Sequence, residues 1–138
     1  MTQSAQSVLN EIRETLQQGQ KDLAAAYLAR PDYKAYLIGR SQLVDQMLER
    51  LWTEAQLPKS AALIAVGGYG RNELYPHSDI DVLITLDSLP TPDVEIALER
   101  LISQFWDIGL AVGHSVRTID ECIIAAESDI TVQTALSE

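Results

Sequence analysis

The sequence predicts an α/β (α+β) domain in which helices cover a small mixed sheet, preceded by a helical segment. Three observations predict it. Amphipathic helical spacing fills most of residues 4–56. Two short apolar runs, 61–66 and 82–86, flank a glycine-rich stretch. After them, helical and strand patterns alternate through to residue 138.

Residues 4–29 read as a helix, because Val8, Leu9, Ile12, Leu16 and Leu23 recur at helical spacing. Gly19 weakens its middle and predicts a division into two pieces. The Arg30-Pro31 step ends it, since the residue before proline is biased away from helix. A second helix is expected over 32–56, with Leu37, Val44, Met47, Leu48, Leu51 and Trp52 as its stripe and Pro58 beyond its end. These helices form a segment, 1–58, read as a brace over an edge or face of the sheet of a core spanning 59–138, with a dedicated partner-binding hairpin as the other reading.

Residues 61–66 are too short and too apolar for an exposed helix and read as a buried strand. The second strand, 79–86, alternates: Asp79, Asp81 and Leu83 on one face, Ile80, Val82 and Ile84 on the other. The link over 67–78 suits antiparallel neighbours, because a parallel crossover usually needs a full helix. Thr91 caps and Pro92 opens a third helix that carries Val94, Leu98, Leu101, Ile102, Phe105 and Trp106 to a stop at Gly109. A third strand follows over 110–117. Thr118-Ile119-Asp120-Glu121 is a capping-box pattern for a short helix ending near Glu127. Ser128 or Asp129 caps a further helix still in progress at Glu138, so the chain reads as a piece of something longer.

Composition excludes several classes. A net charge of -10 removes the basic footprint that supplies most nucleic-acid affinity, so no nucleic-acid partner is expected. No apolar run is long enough to cross a bilayer, and residues 1–4 lack the basic start of a secretory signal, so no membrane partner and a cytoplasmic setting are expected. The single Cys122 cannot form an internal disulfide.

The chemistry lies between Gly67 and Ile84. Aspartates at i and i+2 on a strand place both carboxylates on one face, roughly 7 Å apart at Cα. Like charges that close favour a cation between them, and hard oxygen ligands suit Mg²⁺ or Mn²⁺, which usually shares its shell with substrate phosphates. Gly67, Gly68 and Gly70 let backbone N–H groups approach those phosphates. Arg71 is placed for a charge-assisted hydrogen bond to a phosphate oxygen, and Ser78 for another. Taken singly, such glycines make a plain turn and such aspartates a solvated strand edge. Their order, between two apolar strands, is what favours a nucleotide site.

The run Gly67-Gly68-Tyr69-Gly70-Arg71, followed by Ser78-Asp79-Ile80-Asp81, resembles the nucleotidyltransferase motif of the DNA polymerase β superfamily, and within it the protein-PII uridylyltransferase family. Trp106-Asp107-Ile108-Gly109-Leu110, Val112-Gly113-His114-Ser115-Val116-Arg117-Thr118 and the stretch 129–136 are similar to that family too. The resemblance implies a polymerase-β-like fold and transfer of UMP from UTP to a tyrosine of the PII nitrogen-regulatory protein, with release of pyrophosphate. It implies Asp79 and Asp81 as catalytic metal ligands for Mg²⁺ or Mn²⁺, and Gly67, Gly68, Arg71 and Ser78 as nucleotide-binding residues. Because the acceptor tyrosine belongs to the partner, Tyr69 and Tyr75 are expected to pack.

The superfamily also carries a third carboxylate on a later strand, whereas 110–117 contains none. Asp107, Glu121 and Asp129 are left as candidates, and His114 on the third strand reads either as a substitute ligand or as a histidine that orients the site or packs. The family's HD hydrolase and ACT regions have no counterpart in these residues, so uridylyl removal and glutamine sensing are not expected of them. Two other readings stand beside this one: a non-catalytic regulatory module of the same fold, and a transferase acting on a small-molecule hydroxyl.

Overall fold

The computed structural model describes residues 5–70 and 80–128, with side chains over 6–70 and 80–124. The chain runs α1 (Ala5–Ala29), α2 (Tyr33–Ala55), β1 (Ala62–Val66), α3 (Gly67–Gly70), β2 (Ile80–Leu86), α4 (Pro92–Asp107), β3 (Val112–Thr118) and α5 (Ile119–Ser128). The mixed α/β architecture expected from the sequence is therefore present. The further helix expected after Ser128 lies outside the described residues.

α1 and α2 form a helical hairpin. Its turn is set by Asp32, whose carboxylate accepts the Ala35 N–H at 3.1 Å and so satisfies one of the open donors of α2. α2 stops where Gln56 takes a left-handed conformation, φ 52°. Contrary to expectation, α1 is one continuous helix through Gly19. The glycine is there for its neighbour: a methyl group on Gly19 would lie 2.7 Å from both Cδ atoms of Leu43 on α2. The relation is reciprocal, since a methyl group on Gly39 of α2 would lie 2.7 Å from Leu23 Cδ2 on α1. Each helix thus offers a glycine notch to a leucine of the other, and the helices approach closely at two levels. Tertiary packing outweighs the local weakness of a mid-helix glycine.

The sheet order is β1-β2-β3. β1 and β2 are antiparallel, with Val66 opposite Asp81 and Leu63 opposite Ile84, as the short link predicts. β2 and β3 are parallel, with Asp81 opposite Gly113 and Val82 opposite His114. α4 makes the crossover that a parallel pair requires. Its start is as expected: Thr91 Oγ1 accepts the Val94 N–H at 3.4 Å and Pro92 occupies the first turn. At its end Gly109 has φ +98°, a conformation that favours glycine.

One face of the sheet carries Ile80, Val82 and Ile84 and is covered by helices. The main core joins Leu9, Ile12 and Leu16 of α1 to Val44, Met47 and Leu51 of α2, and both sets to β2 and α4. Full burial of each such side chain contributes about 1.5–3 kcal/mol. Arg13 ties α1 to the end of α4, its Nε donating to the Asp107 carbonyl at 2.9 Å. Two expectations need correcting. β1 is not buried: it is an edge strand among the described residues, and Ile64, on the face away from the helices, is 40% exposed. Trp106 does not join the buried stripe of α4; neighbouring positions on a helix point about 100° apart, and with Phe105 fully buried Trp106 is 58% exposed.

Candidate active site

Strand alternation puts Asp81 on the sheet face opposite the core residues Ile80 and Val82, and its side chain is exposed there. The face expected for Asp81 and Leu83 is the face observed. Two glycines flank the Asp81 carboxylate. A Cβ on Gly113 of β3 would lie 2.8 Å from Oδ1, and a Cβ on Gly67 would lie 3.4 Å from Oδ2. The carboxylate therefore occupies space that a side chain at position 113 would fill, and both its oxygens lie against bare backbone. Gly67 itself has φ +63°, so its lack of a side chain also serves the turn.

The glycine-rich stretch opens as one helical turn, α3, directly after β1. Gly68 lies within it and is half-buried. Gly70 closes the turn onto β1, where a Cβ would meet the Ala65 carbonyl oxygen at 2.9 Å. Tyr69 is buried, and its hydroxyl donates a hydrogen bond to the Asp45 carboxylate on α2. Burial, above all, pushes the phenol's pKa above its ordinary value; the hydrogen bond to Asp45 and the negative charges of Asp45 and Glu49 act in the same direction. A packing role for Tyr69 was expected, and the structure adds this tether.

Of the remaining expected site residues, Arg71, Ser78 and Asp79 lie outside the described residues, as do Tyr75 and Asp129. The third-ligand candidates divide. His114 is opposite Val82, on the helix-covered side, and lines a groove of about 470 Å³ with Glu95, Glu99 and Ser103 of α4. It is thus turned away from Asp81 and does not substitute for a third carboxylate. The reason is register: parity on β3 becomes fixed only when Gly113 pairs with Asp81.

Glu121 is engaged elsewhere. Its Oε1 accepts the Thr118 N–H at 3.0 Å while its own N–H donates to Thr118 Oγ1 at 3.1 Å, the expected capping box. Hydrogen bonding to the Thr118 backbone N–H, and then to the Thr118 side chain, holds its carboxyl below the usual range. Thr118 is opposite Leu86, five positions along the strand from Asp81, or roughly 17 Å at strand rise. Asp107 is exposed at the end of α4. Among the described residues, no three His, Cys, Asp or Glu side chains form a metal-holding group. An exposed carboxylate with open backbone on both sides nevertheless fits one arm of a hard-cation site, its other ligands coming from further groups.

Gly113 and Asp45 are the residues that sequence reasoning missed. A glycine inside a strand pattern signals close approach, and Gly113 carries that signal. Nothing local marks Asp45.

A family model described as "Nucleotidyltransferase domain" matches residues 44–126. The chain belongs to this nucleotidyltransferase domain family. The match begins within α2 and extends through the strands into α5. The chain is also 50% identical, over its whole length, to a bifunctional uridylyltransferase/uridylyl-removing enzyme of Chromobacterium violaceum, covering 16% of that protein. The correspondingly named protein of Thiobacillus denitrificans is 46% identical over 93% of this chain and 15% of its own length. That of Aromatoleum aromaticum is 43% identical over 98% and 16%. This nucleotidyltransferase domain thus spans about one sixth of the curated relatives it matches. No solved structure matches it. No helix among its described residues is long and apolar enough to cross a membrane.

Proposed function

We propose that this domain transfers UMP from UTP to a tyrosine hydroxyl of the PII signal protein in the cytoplasm, with a divalent cation, Mg²⁺ or Mn²⁺, at Asp79 and Asp81. The observation that carries the reading is the exposed Asp81 carboxylate flanked by Gly67 and Gly113, in a chain of the nucleotidyltransferase family. Uridylyl as the group is supported by the relatives' name, while a protein tyrosine as its acceptor is what the family resemblance implies. Only the transfer half of the two activities in that name is assigned to these residues.

In the reaction, the tyrosine oxygen forms a bond to the α-phosphorus of UTP. The bond from that phosphorus to the bridging oxygen breaks, the phenolic proton leaves, and pyrophosphate carries off the electron pair. When bound, the cation offsets triphosphate charge and favours departure of pyrophosphate. Asp79 and Asp81 supply the negative ligands. Gly67 and Gly68 present backbone to the phosphates, while Arg71 and Ser78 hold phosphate oxygens by charge-assisted hydrogen bonds. Asp81 is exposed on its sheet face, so its carboxylate is accessible to a nucleotide.

Calorimetry of UTP with Mg²⁺ or Mn²⁺ tests the site. The chain is expected to bind the nucleotide, and an Asp79→Asn/Asp81→Asn double variant to lose most of that binding. Equal binding by the two would overturn the assignment.

A further inference from the structure

We propose that Tyr69 and Asp45 are a positioning pair that holds the glycine-rich turn against Asp81, making the N-terminal helical hairpin part of the working site. The inference deepens the nucleotide-site reading above and rests on it.

α3 reads Gly67-Gly68-Tyr69-Gly70, so Tyr69 is the only side chain by which the rest of the protein can grip it. Three glycines give this turn more backbone freedom than any other four residues of the chain, and that freedom must be removed before backbone groups can serve as a preformed cradle. Two contacts restrain it. Gly70 lies flat on the Ala65 carbonyl, fixing the turn to β1. From the other side, the buried Tyr69 hydroxyl reaches the Asp45 carboxylate, 24 residues earlier on α2. Burial and the neighbouring carboxylates keep the phenol protonated, so it remains a donor throughout the physiological range.

Asp45 is itself on a rigid support. Val44 and Met47 beside it are core residues, and α2 is locked to α1 at the two glycine notches and packed against α4. A hydrogen bond from the turn to that frame fixes Gly67, and Gly67 borders Oδ2 of Asp81. The path from hairpin to carboxylate is thus Asp45, Tyr69, Gly67, Asp81. Tyr69 touches no reacting atom in this arrangement; it acts through the turn.

The test uses the full chain, with Tyr69→Phe, Asp45→Ala and Asp45→Asn variants. Two quantities are read: UTP affinity in the presence of Mg²⁺, and hydrogen exchange at the Gly67–Gly70 amides. Tyr69→Phe keeps the ring and removes the donor, while Asp45→Asn keeps an acceptor oxygen. Tyr69→Phe and Asp45→Ala are each expected to weaken UTP binding about tenfold and to speed exchange in the turn about tenfold, with exchange in α4 unchanged. Asp45→Asn is expected to retain both within about threefold of the parent, a rescue that general destabilisation does not produce. Asp81→Asn separates the two ideas. If it abolishes UTP binding while Tyr69→Phe and Asp45→Ala bind like the parent, the pair is not a positioning device and the site reading survives. If Asp81→Asn leaves binding intact, the site reading fails, and unchanged turn exchange in Asp45→Ala would overturn the tether as well.

Discussion

Oδ1 of Asp81 sits over Gly113, in space that a single added methyl group would contest at 2.8 Å. That separation is too short for a carbon beside a carboxylate oxygen, so a side chain at 113 turns the carboxylate away from its present direction. Gly113→Ala is therefore expected to weaken divalent-cation and UTP binding by about tenfold. Its thermal midpoint should stay near the parent's, because the atom that yields is the end of an exposed side chain. Binding titrations beside a melting curve check both halves. Unaltered binding would show that the carboxylate's direction is immaterial.

The two glycine notches of the hairpin should respond differently to alanine. At Gly19 both Cδ atoms of Leu43 lie 2.7 Å from an added methyl and its Cγ 3.3 Å, so turning the leucine about χ2 leaves Cγ crowding the new methyl. At Gly39 only Leu23 Cδ2 is close, at 2.7 Å, with Cγ at 3.9 Å, and rotation clears it. Alanine gains about 1 kcal/mol in helix propensity at either position, against an overpacking penalty of about 1–3 kcal/mol. Gly19→Ala should destabilise by about 1 kcal/mol, whereas Gly39→Ala should be neutral or stabilising. Urea unfolding of the two variants measures the difference, and Leu43→Ala should relieve the first.

Tyr69 gives the domain a pH signature on the alkaline side. Its folded pKa is raised above the ordinary value of 10.0, mainly by burial. The protonated phenol's contribution is complete below about pH 10 and is lost as pH rises toward the folded value, because the unfolded chain ionises first. Tyr69→Phe should lower stability at neutral pH by about 1.5 kcal/mol, the typical worth of a hydrogen bond to a charged group. It should also flatten the decline above pH 10. Chemical denaturation at a series of pH values follows both effects.

The capping box of α5 is the acid-side counterpart. Hydrogen bonds from Thr118 lower the Glu121 pKa, so its contribution is present above the unfolded value near 4.5 and disappears as pH falls through the folded value. Amide shifts at Thr118 and Glu121 should report this titration below pH 4.5. In Glu121→Gln the Thr118 amide should lose its pH dependence. Thr118→Ala removes the other half of the box and should cost about 1 kcal/mol.

What was legible in the sequence follows from how far each signal reaches along the chain. Thr91 with Pro92, and Thr118 with Glu121, are caps whose partners lie within three residues, and they form as read. Strand parity likewise placed Asp81 and Leu83 opposite Ile80 and Val82. Gly19 misled, because a local rule weighs only the helix it weakens while the deciding atom, Leu43, lies on another helix. Ile64 misled because an apolar run says nothing about whether both of its faces are covered. The side taken by His114 depends on a register between strands separated by all of α4. The tether between Asp45 and Tyr69 joins two elements by side chains that no motif pairs.

Ser41 offers the reverse kind of prediction, a gain from removal. It is fully buried in α2, and its hydroxyl has no hydrogen-bond partner among the described residues. A hydroxyl withdrawn from water without compensation costs about 1–3 kcal/mol. Alanine differs from serine by that one oxygen, leaves a void too small to matter, and has the higher helix propensity. Ser41→Ala should therefore stabilise the domain by about 1 kcal/mol, visible as a higher urea midpoint at unchanged slope. Because Ser41 lies one turn from Asp45 and on the buried side of α2, UTP affinity should stay the same. A destabilised variant would mean that the hydroxyl does have a partner in solution, such as a trapped water, and that α2 is anchored by one more polar contact than its packing displays.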